Sequence, residues 1–262
     1  MTQPPSSLYL LYHEIRTSRT DYSYAIEAAE FERQVELCAK LGQTSAPSLK
    51  PEITFDDGHI SNFEYALPIL KSRAVKAHFF ITVGWTNQRS HYMGWQHLRA
   101  LHQAGQSIGS HGWTHTLLTH CSPRQLGKEL LDPRLALEDK LGTSITTMSL
   151  PGGRYNKRVL AACREAGYTQ VFTSVPRGEP EAPGYTVGRL NIHGDRTRDW
   201  IEGLLQRDSK VLADLYRRYY LKNAVKSLLG DGLYEKLWAR LNRQELDTPG
   251  EGAAANEDPA HH

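Results

Sequence analysis

Short apolar stretches alternate along this chain with longer segments in which apolar residues recur every three or four positions. The short stretches have the length and the β-branched or aromatic content of buried strands, and the longer segments have the period of amphipathic helices. Such alternation is typical of parallel βα units rather than of a sandwich. We therefore predict an α/β fold, a barrel of parallel strands with helices outside, whose active residues follow the carboxyl ends of the strands.

The pattern divides the chain into three segments. Residues 1–195 hold the predicted barrel, with strands at 8–12, 53–55, 77–83, 106–110, 146–150, 168–174 and 187–193 and helices at 27–41, 62–72, 95–104, 123–141 and 158–166. Residues 196–245 are predicted to be a helical extension, with helices at 199–205 and 212–242. Residues 246–262 are rich in Gly, Ala, Glu and Pro, which predicts a disordered tail.

Charge and cysteine content narrow the choice of partner and compartment. The 31 basic and 29 acidic residues nearly balance, so nothing global indicates a nucleic-acid partner. Three widely spaced cysteines, Cys38, Cys121 and Cys163, fit a reducing compartment better than a disulfide framework. The N-terminal residues show no positively charged region followed by a long apolar run. These features predict a cytoplasmic protein.

Two adjacent carboxylates follow the second predicted strand, in the sequence Thr54-Phe55-Asp56-Asp57-Gly58. Neighbouring side chains on an extended strand point to opposite faces, so one carboxylate can bind a metal while the other stays free as a base. Asp-Asp-Gly is also an ordinary turn sequence. The pair therefore needs support from elsewhere in the chain.

That support comes from His111-Gly112-Trp113-Thr114-His115, after the fourth predicted strand. The two imidazoles are four residues apart, which predicts that they lie on one face of a helical turn, a spacing that suits a metal. Because both motifs follow strands, we expect them at the same mouth of the barrel. One carboxylate and two imidazoles leave a coordination position for water, which is typical of a catalytic site.

Together these two motifs resemble the first two motifs of the polysaccharide deacetylase family, carbohydrate esterase family 4. Flanking sequences such as Leu11-Tyr12-His13 and Ala166-Gly167-Tyr168 agree, and the resemblance spans roughly residues 8 to 195. It implies a distorted (β/α) barrel with a C-terminal extension. It also implies an enzyme that removes acetyl groups from an N-acetylated sugar or glycan.

The resemblance also assigns roles to individual residues. Asp57, His111 and His115 would hold Zn²⁺ or another divalent transition metal, and Asp56 would be the general base. The sequence Pro151-Gly152-Gly153-Arg154-Tyr155 resembles the third motif of the family, so Pro151 and Gly152 would shape the oxyanion site and the Gly152 backbone amide would be its donor.

Two departures from the family pattern affect the remaining assignments. The family has an arginine two residues before the third-motif proline, where it orients the base, but this chain has Ser149. Arg154 is the nearest replacement, and this change resembles the exopolysaccharide and biofilm-polysaccharide deacetylases. The fourth-motif aspartate, which tunes the acid histidine, is not evident. His193 ends the last predicted strand and is the candidate general acid, with an ordinary loop histidine as the alternative.

Further residues have both a pocket interpretation and a structural one. His13 follows the first strand and either lines the pocket or caps the chain. Trp113 lies between the proposed ligands and offers an indole to a sugar, with core packing as the alternative. His78 is predicted to be a hydrogen-bonded interior residue rather than a fourth ligand. The basic and aromatic residues 216–226 form either a solvated helix packed on the barrel or a peripheral membrane contact.

The leading hypothesis is thus a metal-dependent N-deacetylase acting on an N-acetylhexosamine-containing glycan. One alternative is a related C–N hydrolase that acts on a non-sugar amide. The other is a catalytically silent carbohydrate-binding barrel. The silent barrel is disfavoured because a pure binder needs no base, yet Asp56 accompanies all three ligands.

Overall fold

The computed structural model describes residues 6–42, 49–180, 183–206, 211, 213–215 and 217–221. The predicted disordered tail, residues 246–262, lies outside the described residues. So does most of the helix predicted at 212–242, of which 213–215 and 217–221 are described and helical.

The described strands follow the predicted order with small shifts of their ends. They are β1 (Ser6–Tyr12), β2 (Glu14–Arg16), β3 (Ala25–Glu27), β4 (Leu49–Phe55), β5 (Ala77–Ile81), β6 (Ser107–Ser110), β7 (Thr147–Ser149), β8 (Gln170–Phe172), β9 (Glu179–Pro180), β10 (Thr186–Val187) and β11 (Arg189–Asn191). The short strands β2, β3 and β9 were not predicted.

The helices lie between these strands. They are α1 (Ala28–Gly42), α2 (Leu67–Ser72), α3 (Trp95–Gln103), α4 (Pro123–Leu141), α5 (Lys157–Glu165) and α6 (Arg198–Leu205). A π-helix at Asn62–Ala66 continues directly into α2. Among the described helices, none is both long and apolar enough to cross a membrane.

The main sheet has the order β10-β8-β7-β6-β5-β4-β1-β11, and all neighbours in this path are parallel. The ends of the path, β10 and β11, are separated along the chain by Gly188 alone. One stretch of chain therefore pairs with β8 through its first half and with β1 through its second. This arrangement confirms the predicted distorted barrel of parallel strands.

Both faces of the strands are buried. Inside the barrel, Tyr9, Phe80, Phe172 and Val187 form a small apolar cluster. Outside, the strands and helices share a much larger core, to which Phe31 of α1 contributes a fully buried ring. Strands covered on both faces read as continuous apolar runs, which is why the sequence pattern located them.

The long helix α4 has the boundaries that the sequence predicted because both of its ends are capped. The Ser122 hydroxyl accepts a hydrogen bond from the backbone N–H of Gln125, and the Gln125 side-chain oxygen accepts one from the backbone N–H of Ser122. Gly142 ends the helix in the left-handed conformation, at φ +66°. The helix passes beneath the loop that follows β6, where it supports the candidate site.

Candidate active site

The carboxylate pair lies at the end of β4, at the mouth of the barrel. Asp57 is left-handed, with φ +73°, and Gly58 follows with φ +84°. The pair is therefore not extended as predicted, because the chain turns at Asp57 and the Gly58 N–H donates back to the Asp56 carbonyl at 2.9 Å. The turn still separates the two carboxylates, so each has its own partners.

The two histidines reach the site from a loop rather than from the predicted helical turn. The segment between β6 and Leu118 is not helical, and both Gly112 (φ +83°) and His115 (φ +65°) are left-handed. Glu129 of α4 holds this loop. Its carboxylate accepts hydrogen bonds from the backbone N–H groups of Trp113 (2.9 Å) and Thr114 (3.0 Å) and from the Thr114 hydroxyl (2.7 Å). The left-handed residues turn the loop so that both imidazoles approach Asp57.

Asp57, His111 and His115 form a compact donor cluster. Asp57 Oδ1 lies 3.3 Å from Nε2 of each histidine. This oxygen is buried, and no hydrogen-bond donor in the described part of the chain reaches it. Ligands that stand 2.0–2.1 Å from a tetrahedral ion are about 3.3 Å from one another. The three side chains therefore fit a divalent metal ion.

The orientation of His111 supports the same conclusion. Its Nδ1 lies 2.9 Å from the carbonyl oxygen of Ser149, which can only accept, so Nδ1 carries the proton and Nε2 is left free as a ligand atom. Burial alone would lower the pKa of His111, but the carboxylates of Asp56 and Asp57 outweigh it and raise the pKa. Burial would likewise raise the pKa of Asp57, but the neighbouring His115 and His111 hold it below its usual value.

Asp56 is bound on both oxygens by a fully buried arginine. Arg189 Nη1 donates to Oδ1 at 2.7 Å and Nη2 donates to Oδ2 at 2.8 Å. The Ser149 hydroxyl also donates to Oδ2, at 2.9 Å. Burial would raise the pKa of Asp56, but Arg189, His111 and His13 together outweigh it, and the net pKa is lowered. Asp56 is therefore held as a carboxylate in one orientation.

The arginine that orients Asp56 is thus Arg189, and the prediction that Arg154 does so is wrong. Arg154 follows the turn after β7 and lies in the cavity wall. Arg189 begins β11, where alternate side chains face inward. Its neighbours on that face, Asn191 and His193, both line the cavity. The sequence did contain a signal for Arg189. Arg189, Asn191 and the candidate acid His193 are each two positions apart, so on a strand they lie on the same face.

These residues surround one cavity of about 1250 Å³. Its wall includes the predicted residues Asp56, Asp57, His111, His115, Gly152, Arg154, His13 and His193. It also includes residues that the sequence did not indicate, among them Tyr22, Ser23, Tyr24, Asn191, Leu215, Arg218 and Tyr219. Trp113 and Pro151 do not line it. The Trp113 side chain is 39% exposed, and Pro151 is buried in the turn before Gly152.

Three further histidines, His13, His78 and His193, differ in their surroundings. The rings of His13 and His193 lie 4.8 and 5.0 Å from the ring of Tyr24. Burial lowers the pKa of His13, although the nearby Asp57 and Asp56 oppose this effect. His78, on β5, packs against Phe80 and Phe172 inside the barrel, and burial lowers its pKa too. The cluster among the described residues that could hold a metal ion consists of one aspartate and two histidines and does not include His78.

Sequence and structure comparisons agree with this geometry. The family model for polysaccharide deacetylase matches residues 46–171. The protein YxkH of Bacillus subtilis (strain 168) is 29% identical over 218 residues, which cover 77% of this chain and 75% of that protein. The peptidoglycan-N-acetylglucosamine deacetylase PgdA of Listeria monocytogenes serotype 1/2a (strain 10403S) is 35% identical over 108 residues. That match covers 41% of this chain but only 22% of the Listeria protein.

Solved structures share the fold. The Streptococcus pyogenes deacetylase PplD, in complex with acetate, superposes with a TM-score of 0.69 at 23% identity, covering 78% of this chain and 98% of that one. The structure of IcaB from Ammonifex degensii gives a TM-score of 0.64 at 21% identity, covering 78% and 97%. The fold of this chain is therefore shared with known structures.

Proposed function

Because the chain belongs to the polysaccharide deacetylase family, we propose that it is a metal-dependent hydrolase that removes N-acetyl groups from N-acetylhexosamine units of a glycan. The reaction releases acetate and leaves an amine on the sugar. One observation carries the proposal. The Asp57–His111–His115 cluster meets, in one cavity, a second carboxylate that a buried arginine holds in place.

The metal would be held by Asp57, His111 and His115, and Zn²⁺ is the ion for which two imidazoles, a carboxylate and an open position are typical. A bound ion supplies Lewis acidity, which lowers the pKa of water and polarises a carbonyl group. The unsatisfied oxygen of Asp57 and the fixed tautomer of His111 support this assignment.

Asp56 is the proposed general base. Its lowered pKa keeps it ionised at neutral pH, so it can accept the proton of the attacking water. Arg189 donates hydrogen bonds to both carboxylate oxygens of Asp56, and the Ser149 hydroxyl donates to Oδ2. These bonds fix the orientation of the carboxylate. Proton transfer to a positioned group of this kind contributes about 10²- to 10⁴-fold in rate.

The backbone N–H of Gly152 is the proposed donor to the oxygen of the tetrahedral intermediate. Gly152 lines the cavity in the left-handed conformation, at φ +62°, and a Cβ atom there would lie 2.7 Å from Leu117 Cδ2. Glycine therefore fits both the backbone and the space. His193, at the end of β11, is the proposed acid that gives a proton to the departing nitrogen.

The proposed substrate is an oligomeric or polymeric glycan of the exopolysaccharide type. The cavity volume of about 1250 Å³ exceeds the ~300–1,000 Å³ usual for small ligands, which supports a chain of several sugars. Leu215 and Arg218 extend the wall beyond the barrel. The cytoplasmic location and the membrane contact through residues 216–226 stay predictions.

Metal analysis combined with acetate release tests the proposal on the purified full chain. We expect about one divalent metal per chain, and acetate release from N-acetylglucosamine oligomers that stops on chelation and returns with Zn²⁺. Asp56→Asn should keep the metal and lose at least about 100-fold in kcat. Asp57→Asn should lose the metal. The exposed Asp132→Asn is the matched control and should behave as wild type.

Other results would contradict specific parts of the proposal. Absence of metal binding would exclude a metal-dependent hydrolase. Metal binding with no acetate release from any N-acetylated glycan would exclude the substrate class. Loss of metal from Asp56→Asn would show that the base and the ligand have been assigned the wrong way round.

A further inference from the structure

Tyr24 lies between His13 and His193, two of the cavity histidines outside the cluster of Asp57, His111 and His115. Its ring centroid is 4.8 Å from that of His13 and 5.0 Å from that of His193. We propose that Tyr24 is a positioning residue that holds His193 in place and supports its protonated form. The inference rests on the proposed function, in which His193 is the acid. Tyr24 would then take the place of the fourth-motif aspartate, which is not evident in this sequence.

The backbone around Tyr24 is bonded to the residue that follows each histidine. The Glu14 N–H, directly after His13, donates to the carbonyl of Tyr24 at 3.3 Å. The Gly194 N–H, directly after His193, donates to the carbonyl of Ser23 at 2.9 Å. The loop from β2 to β3 therefore ties the end of β1 to the end of β11, with the Tyr24 ring between the two imidazoles.

Gly194 makes this contact close. A Cβ atom at this position would lie 2.5 Å from the carbonyl oxygen of Ala25, so only glycine lets the two backbones approach as they do. Glycine at position 194 thus allows the close approach of the loop that carries Tyr24. The contact restricts the backbone of the residue next to His193, and the Tyr24 ring packs against the His193 imidazole. His193 is therefore positioned through both its backbone and its side chain.

The charged residues near His193 also favour a role for the Tyr24 ring in stabilising protonated His193. An aromatic face within about 6 Å of a cation stabilises it. Asp195 and Arg196, the charged residues that follow on the same loop, pair with each other at 3.5 Å. Burial lowers the pKa of His13, although Asp57 and Asp56 oppose this effect. The Tyr24 ring therefore supports the imidazolium of His193.

Histidine NMR titration of the full chain, with kinetics alongside, tests the proposal. The variants are Tyr24→Phe, which keeps the ring, Tyr24→Leu, which removes it, and the remote exposed Tyr65→Leu as the matched control. The signal of His193 is assigned with His193→Gln. We expect Tyr65→Leu to resemble wild type, and Tyr24→Phe, which keeps the ring, to keep the wild-type titration of His193. In Tyr24→Leu the pKa of His193 should fall by about half a unit. Its kcat should fall about tenfold while KM changes less than about twofold.

Each remaining outcome decides the question. An unchanged His193 titration in Tyr24→Leu overturns the inference, whatever the kinetics. A raised KM with unchanged kcat also overturns it, because Tyr24 would then bind the sugar. If wild type releases no acetate, the proposed function fails, yet the titration still decides whether Tyr24 controls His193. If Tyr24→Leu does not fold, Tyr24→Met provides the same comparison.

Discussion

Arg189 places a guanidinium group inside the barrel, among the rings of Phe80 and Phe172, where an apolar side chain would be the usual occupant. A buried charge is costly unless it is paired, and this one is paired twice with Asp56. It also contacts Ser149, at the position where the family has an arginine. The contact with Asp56 is therefore made by a residue 40 positions later in the chain than Ser149.

Replacing Arg189 with methionine should impair both stability and activity. Asp56 would stay buried without its partner, and breaking a buried pair costs about 3–5 kcal/mol of the free energy of unfolding. Acetate release should fall at least about 100-fold because the base is no longer oriented. Urea unfolding and kinetics measure the two effects. Arg189→Lys should recover part of the stability but little activity, and equal activity in both variants would contradict the orienting role.

The Asp56–Arg189 pair also predicts how stability responds to acid. Asp56 has a lowered pKa in the folded protein, so its contribution is complete above the unfolded value of about 3.9 and is lost as the pH falls through the lower folded value. The wild-type chain, freed of metal, should lose stability in this window. Asp56→Asn should show a shallower loss. Urea midpoints between pH 5 and pH 3 measure it, and parallel curves would contradict the coupling.

At the scale of elements, α4 determines the geometry of the loop that carries His111 and His115. Glu129 is a buried side chain that accepts three hydrogen bonds from residues between His111 and His115. The loop itself contains two left-handed residues and no regular structure. Its shape therefore depends on a helix that follows it in the chain.

Glu129→Gln should weaken metal binding without unfolding the barrel. The amide keeps one acceptor oxygen but presents N–H groups where the loop needs a second acceptor. Outer-sphere changes of this kind typically cost about 10- to 100-fold in metal affinity. Competition with a chromogenic chelator measures the affinity for Zn²⁺, and the exposed Glu64→Gln is the matched control. Equal affinity in the two variants would show that Glu129 does not hold the ligands.

Most strands and helices of the barrel could be predicted from the sequence, but the short strands in the connection between β1 and α1 could not. Strands buried on both faces and capped helices such as α4 carry strong local signals, so their places were correct. The strands β2 and β3 are only three residues long and carry no periodic pattern, so they were missed. For the same reason Tyr24, on the loop between them, was not expected in the cavity.

The candidate site was predicted in part for similar reasons. Asp56, Asp57, His111 and His115 were found because motif residues are close in sequence. Arg189 contacts Asp56 across 133 positions, a pairing that depends on barrel closure and not on any local pattern. The predicted helical turn was wrong because spacing alone cannot reveal the left-handed residues that bring His115 to Asp57.

At the scale of the whole molecule, one short stretch of chain connects the two ends of the main sheet. Residues 186–191 pair with β8 and with β1, so the first and last parts of the barrel are joined by hydrogen bonds. The same stretch reaches the candidate site, where Arg189 contacts Asp56. Separation of β11 from β1 would therefore break the core and the site together, and we expect the described barrel to unfold as one cooperative unit.

Two buried cysteines on different helices can test that cooperativity. Cys38 lies on α1 and Cys163 on α5, and burial raises the pKa of each thiol to about 12. Neither should react with a thiol reagent at pH 8 in the native protein, because the thiolate is the reactive form. In chains that retain a single cysteine, both should become reactive at the same urea concentration, coincident with the loss of helical circular dichroism. Reaction of one cysteine at lower urea would instead reveal a part of the barrel that opens independently.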